Sequence, residues 1–150
     1  MLTGAIIAFV GVLIRGWASG HIEKNDRLAT SGPYAHTRNP LYFGSFLIAA
    51  GFAVAAHWAL LLVVIAFFVL VYAPTMQREV ANMAGRFPDE YGEYAANVPA
   101  FMPRPRPWRR QTPAATPFRW SLYIKHGEWK VIVTYLIVLA WLAYRMRRAI

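Results

Sequence analysis

From Leu41 to Ala73 the chain carries no formal charge, only His57 and two tyrosines among apolar and small residues. A helix that crosses a bilayer needs about 20 apolar residues. The run is too long for one crossing and barely long enough for two. A tight helical hairpin is therefore expected, turning at Ala56-His57-Trp58, where an imidazole and an indole suit the membrane interface. Two further apolar blocks run from Leu2 to Ala18 and from Trp129 to Tyr144. Arg15, near the end of the first, is expected to snorkel toward the headgroups.

With 57% hydrophobic residues in 150 and a mean hydropathy of +0.32, the chain reads as one lipid-embedded domain. Leu2–Ile14 has no basic n-region before it and no small-residue cleavage signal after Arg15, so it is expected to be a retained membrane helix and not a signal peptide. The expected fold is an all-α integral membrane helical bundle. It has about four transmembrane helices, including the tight hairpin, plus cytoplasmic amphipathic helices. Within the single domain 1–150, the core spans about residues 1–103. A Pro- and Arg-rich surface strap follows over 104–128, and an extra C-terminal membrane helix over 129–145.

The net charge of +9 raises nucleic acid as a partner, but no recognition helix or RNA-binding motif accompanies it. Basic residues of an apolar chain sit instead at anionic lipid headgroups. The connections from Arg15 to Arg38 and from Arg78 to Lys130 carry 13 of the 16 Lys and Arg residues. Four spans put both on one side, which the positive-inside tendency makes cytoplasmic. Arg145, Arg147 and Arg148 then fall on the far side, against that tendency. The expected location is the inner membrane of a bacterium, with the chemistry at the cytoplasmic face. Absent cysteine excludes disulfides, thiolate metal sites and a cysteine nucleophile. No zinc spacing, P-loop or Ser-His-Asp order is present, and no metal is expected. Composition leaves the oligomeric state open.

Beyond Pro74, Val80, Met83, Phe87, Tyr91, Tyr94 and Val98 recur at helical spacing between charges, the pattern of an amphipathic segment lying at the interface. Pro88 interrupts it, and Asp89 and Glu90 restart a helix well. Tyr91 and Tyr94 are read as packing residues of this segment. The text from Pro99 to Pro117 reads as an extended surface strap.

The stretch GPYAHTRNPLYFG, residues 32–44, is richer than a connector requires. Gly32-Pro33 marks a turn. Asn39-Pro40 marks a helix start, because Asn is a favoured N-cap and Pro fits the first helical position. The free N–H groups of that start and Arg38 directly before it make a site for a carboxylate or phosphate. Tyr34 and Tyr42 offer aromatic faces to a purine or an organic cation. Gly44, one turn in, permits close approach. Glu79 follows the hairpin, which returns the chain to the same face, and supplies a counter-charge for an amine. His36 has no second metal ligand in spacing and is read as a headgroup contact.

LATSGPYAHTRNPLYFG, followed by EVANMAGRFPDEYGEYAANVPAFMP, resembles the isoprenylcysteine carboxyl methyltransferase and phospholipid methyltransferase superfamily of integral membrane enzymes. The resemblance covers about residues 10–103. It implies S-adenosylmethionine as cofactor, held by Leu28 and its neighbours, Tyr34, Asn39, Pro40, Tyr42 and Glu79. It also implies a lipophilic small-molecule or lipid acceptor, such as an isoprenylcysteine carboxylate or a lipid headgroup. Asn39 stands where the family usually has His, Val80 replaces a second acid, and Pro88 replaces a Gly. Thr75 occupies the position of the arginine that serves substrate in the isoprenylcysteine enzymes. The expected function is membrane methyl transfer with no assigned catalytic base. Two alternatives remain at this stage. One is an NADPH-dependent reductase of the sterol type using Arg104, Arg106, Arg109 and Arg110. The other is a scaffold that binds anionic lipid through its strap.

Overall fold

The computed structural model describes residues 1–22, 27–109 and 117–148. Among them are six helices and no strand. They are α1 (Leu2–Ser19), α2 (Pro40–Ala56), α3 (Leu60–Arg86), α4 (Pro88–Asn97), α5 (Trp120–Lys125) and α6 (Trp129–Arg148). A 3-10 turn over Gly32–Ala35 precedes α2. The protein is all-helical, and α1, α3 and α6 are long and apolar enough to cross a membrane.

The expected hairpin forms where the polar pair interrupts the apolar run. α2 ends at Ala56, His57 is extended (φ −162°, ψ 126°), and α3 starts at Leu60. Of the four expected spans, three are long and apolar enough to cross a membrane. α2, with 17 residues, is one residue shorter than α1 and lies alongside it.

α1 and α2 pack antiparallel with their backbones nearly touching. A Cβ added at Gly51 would lie 2.4 Å from the Ala8 nitrogen, and one at Gly11 would lie 2.5 Å from the Gly44 oxygen. Lipid gives apolar side chains little reason to cluster, so close backbone approach through small residues is what holds such helices together. α6 covers another face of α1, also antiparallel. Tyr135 donates its hydroxyl to Ala5 O at 3.1 Å and packs on Ala8 and Val12, while Glu128 meets Arg15 at the other end. α1 thus lies between α2 and α6. The basic end of α6 sits at the end of the bundle that carries the α2–α3 turn.

α3 runs unbroken through Pro74. A proline inside a helix lacks a donor and crowds the carbonyl four residues back. Here the turn just before it, Phe68–Tyr72, widens to a π-helix, which makes room for the ring. The first part of the amphipathic segment, to Arg86, is consequently continuous with α3, and the rest forms the separate α4. At 27 residues, about 40 Å, α3 is longer than the hydrocarbon is thick, and its charged residues, from Arg78 on, fall in its last third. The expected break at Pro88 is present: Phe87 leaves helical geometry (φ −129°, ψ 61°) and α4 begins with Asp89 and Glu90 in its first turn.

The segment after α4 folds back on the loop before α2. Arg104 N donates to His36 O at 2.9 Å, His36 Nδ1 donates to Arg104 O at 2.8 Å, and Trp108 N donates to Ala35 O at 2.9 Å. His36 therefore pins the strap. Its backbone and ring find two partners on one residue, a pairing that spacing along the chain does not reveal. Within the stretch read as a strap, Trp120–Lys125 is helical. Residues 110–116, including Arg110, lie outside the described residues.

Candidate active site

The loop ahead of α2 is stitched to the segment after α4 by a run of polar contacts. Arg38 N donates to Pro99 O at 2.9 Å, and Thr37 Oγ1 donates to Phe101 O at 2.9 Å. Asn39 Nδ2 donates to Ala100 O at 2.8 Å. Asn39 occupies the N-cap position as expected, yet its side chain makes no capping bond. Its amide nitrogen turns to the Pro99–Phe101 turn instead, where Ala100 O also accepts from Thr37 Oγ1 at 3.3 Å. No side chain caps α2, so the N–H groups of its first turn border the space in front of it.

That space is a cavity of about 470 Å³, within the range of small-molecule sites. Leu28, Tyr34, Arg38, Asn39, Pro40, Tyr42 and Glu79 all line it. The hairpin brings α3 back beside the start of α2, and Tyr42 donates its hydroxyl to Glu79 Oε1 at 3.0 Å. Tyr72, on the π-turn, meets the Tyr42 ring edge-on at 5.1 Å. Leu28 packs against the buried cluster of Tyr91, Tyr94 and Val98.

Two residues of the cavity wall carry a buried polar atom that lacks a hydrogen-bond partner among the described residues: the Tyr34 hydroxyl and Arg38 Nε. Arg38 uses Nη1 to donate to Tyr91 OH at 3.0 Å, which leaves Nε unengaged. Burial, assisted by Tyr94, Glu79 and Glu128, pushes the Tyr34 phenol far above its ordinary range, with Arg15 acting against them. Tyr34 is thus a permanently protonated donor. Burial likewise raises Tyr94, whose hydroxyl donates to Tyr34 O at 2.8 Å and fixes the loop that carries Tyr34. Unsatisfied buried donors are rare in folded chains, and both of these belong to residues that line one cavity.

Several lining residues escape a reading by sequence. Tyr91 and Tyr94 do pack as expected, yet their hydroxyls position Arg38 and the Tyr34 loop. Arg15 does not snorkel. It turns inward, donating from Nε to Glu128 Oε2 at 3.0 Å, from Nη2 to Glu128 Oε1 and from Nη1 to Ser45 Oγ. His126 and Glu128 come from the turn between α5 and α6. The available signal was a lone acid abutting an apolar block, since such an acid demands a partner.

A family model for phospholipid methyltransferases matches residues 2–90, α1 through the start of α4. This chain belongs to the phospholipid methyltransferase family. The family is part of the isoprenylcysteine carboxyl methyltransferase-like superfamily, in agreement with the motifs around Asn39 and Glu79. Two curated relatives are named for metal resistance. The cobalt-zinc-cadmium resistance protein CzcN of Cupriavidus metallidurans is 38% identical over 106 residues, covering 69% of this chain and 47% of that one. The nickel-cobalt-cadmium resistance protein NccN of Alcaligenes xylosoxydans xylosoxydans is 33% identical over 106 residues, covering 69% and 48%. This phospholipid methyltransferase family member spans about half the length of these relatives. No solved structure shows a significant match to it.

Proposed function

We propose that the protein is a membrane methyltransferase that takes its methyl group from S-adenosylmethionine and passes it to a lipophilic acceptor. The observation that carries this reading is the cavity itself, where an acid, an arginine with an unpaired Nε, an unpaired phenol and an uncapped helix start converge. These groups fit the cofactor's amino-acid end and its base. Glu79 would take the amine, Arg38 and the first turn of α2 the carboxylate, and Tyr42 and Tyr34 the adenine and sulfonium. When bound, the cofactor supplies an electrophilic methyl: the S–CH3 bond breaks, the acceptor–CH3 bond forms, and a neutral thioether remains. The chain's own task is to hold donor and acceptor in line.

The strap arginines weigh against a nicotinamide cofactor. Arg104 donates to His36 O from its backbone and to Asn97 O from Nη1. Neither Arg104, Arg106 nor Arg109 lines the cavity. Purified protein in detergent should therefore bind S-adenosylhomocysteine and not NADPH in equilibrium titration. Saturable NADPH binding with none of the thioether would overturn the reading. The relatives' names add a cellular setting, tolerance of cobalt, zinc, nickel and cadmium, in which loss of the methyltransferase should be visible as sensitivity.

The cavity is proposed to face the cytoplasm, in a bacterial inner membrane. Cysteine labelling tests the sidedness cleanly, because the parent chain has no cysteine. Single cysteines at Ala56, in the α2–α3 turn region, and at Arg109, in the strap, should label from opposite sides of the membrane. Labelling from the same side would exclude this topology.

A further inference from the structure

The Arg15–Glu128 pair has no part in the cofactor assignment above, although both residues line the cavity. Glu128 is 7% exposed, and both of its oxygens accept from Arg15. A buried ion pair is a poor way to join two helices, since apolar residues of similar size hold them together as well or better. Charged groups beside apolar spans more often mark a functional site. Position points the same way. Arg15 Nη1 also donates to Ser45 Oγ and to Leu41 O, in the first two turns of α2 after Asn39. The pair therefore sits past Arg38 along α2, beside the first turn of the apolar α6. Tyr34, whose buried hydroxyl lacks a partner among the described residues, lines the same cavity as Arg15 and Glu128.

Resting on the methyl-transfer reading, we infer that Arg15 and Glu128, with the Tyr34 hydroxyl, hold the polar head of the methyl acceptor. Glu128 then makes the C-terminal helical pair part of the site, although it lies beyond the residues that the family model matches. The chemistry selects an acceptor with an ionised head on an apolar body. Entry of such a head separates the pair, and its own charge compensates the partner that is released. A neutral alcohol or phenol offers no such compensation and leaves the pair closed.

The test uses the full chain in detergent, membranes of the source cells as acceptor, and S-adenosylmethionine labelled in its methyl group. The variants are Glu128→Gln and the double Arg15→Gln/Glu128→Gln, in which two neutral amides remain able to bond. The double variant should keep its thermal midpoint. It should bind S-adenosylhomocysteine within about twofold of wild type, as expected for sites that do not couple. Its KM for the membrane acceptor should rise at least about tenfold, the usual consequence of losing a charge-assisted hydrogen bond. A folded double variant with the wild-type acceptor KM overturns the inference. So does a parallel loss of thermal midpoint, cofactor affinity and transfer, which would make the pair a purely structural brace. Failure of the wild type itself to bind the thioether is a different result, which removes the methyl-transfer reading and this inference with it.

Discussion

Gly51→Val is expected to drive α1 and α2 apart. Even the first added carbon would sit 2.4 Å from Ala8 N, 2.5 Å from Gly4 O and 2.8 Å from Ala8 Cβ. Two of these are backbone atoms of a rigid helix and cannot turn aside. Overpacking in a core costs about 1–3 kcal/mol when side chains can adjust, and here the helices must move as bodies. The loss should reach or exceed the top of that range, a large share of the 5–15 kcal/mol that typically separates folded from unfolded chains. Thermal unfolding in detergent should show a sharply lowered midpoint. Far-UV helicity should largely persist, because each helix satisfies its own backbone in an apolar medium. Cofactor binding should vanish as well, because α1 walls the cavity opposite the start of α2 only while the two helices touch. Gly85→Ala is the matched control. Nothing lies within 4 Å of a Cβ there, and Ala in a helix gains roughly 0.5–1 kcal/mol over Gly. If Gly51→Val leaves the midpoint where Gly85→Ala does, the backbone contact is not what holds the bundle.

Glu79→Gln should leave the fold intact and weaken cofactor binding. Glu79 lies exposed on the cavity wall, and among the described residues it accepts from the Tyr42 hydroxyl, for which glutamine still offers an acceptor oxygen. What the substitution removes is the charge opposite a bound amine. A hydrogen bond to a charged group is worth about 1.5–3 kcal/mol, which converts to a tenfold or greater loss of affinity. Titration of S-adenosylhomocysteine beside a thermal melt separates the two effects. Unchanged affinity in a folded variant would remove Glu79 from the site and, with it, the counter-charge on which the methyl-transfer reading depends.

Local chemistry was enough to place the elements. The uncharged run from Leu41 to Ala73 demanded a hairpin, and His57 and Trp58 marked its turn. Pro40 started α2 and Pro88 started α4, because a residue without a donor fits a first helical turn. The order of motifs also put Asn39 and Glu79 on one cavity, since the hairpin can only return the chain to its starting face. Three matters depended on contacts between distant residues. Asn39 had two suitors for its amide, its own helix and Ala100, and the fold supplied the second. Pro74 would end most helices, but the π-turn from Phe68 to Tyr72 opened room for it, and so α3 carried Glu79 onward without a break. Arg15 had a free path to the headgroups by length alone. It turned inward because α6 brought Glu128 against it across 113 positions of sequence, a proximity that the packing of Tyr135 on α1 creates and that no local propensity encodes.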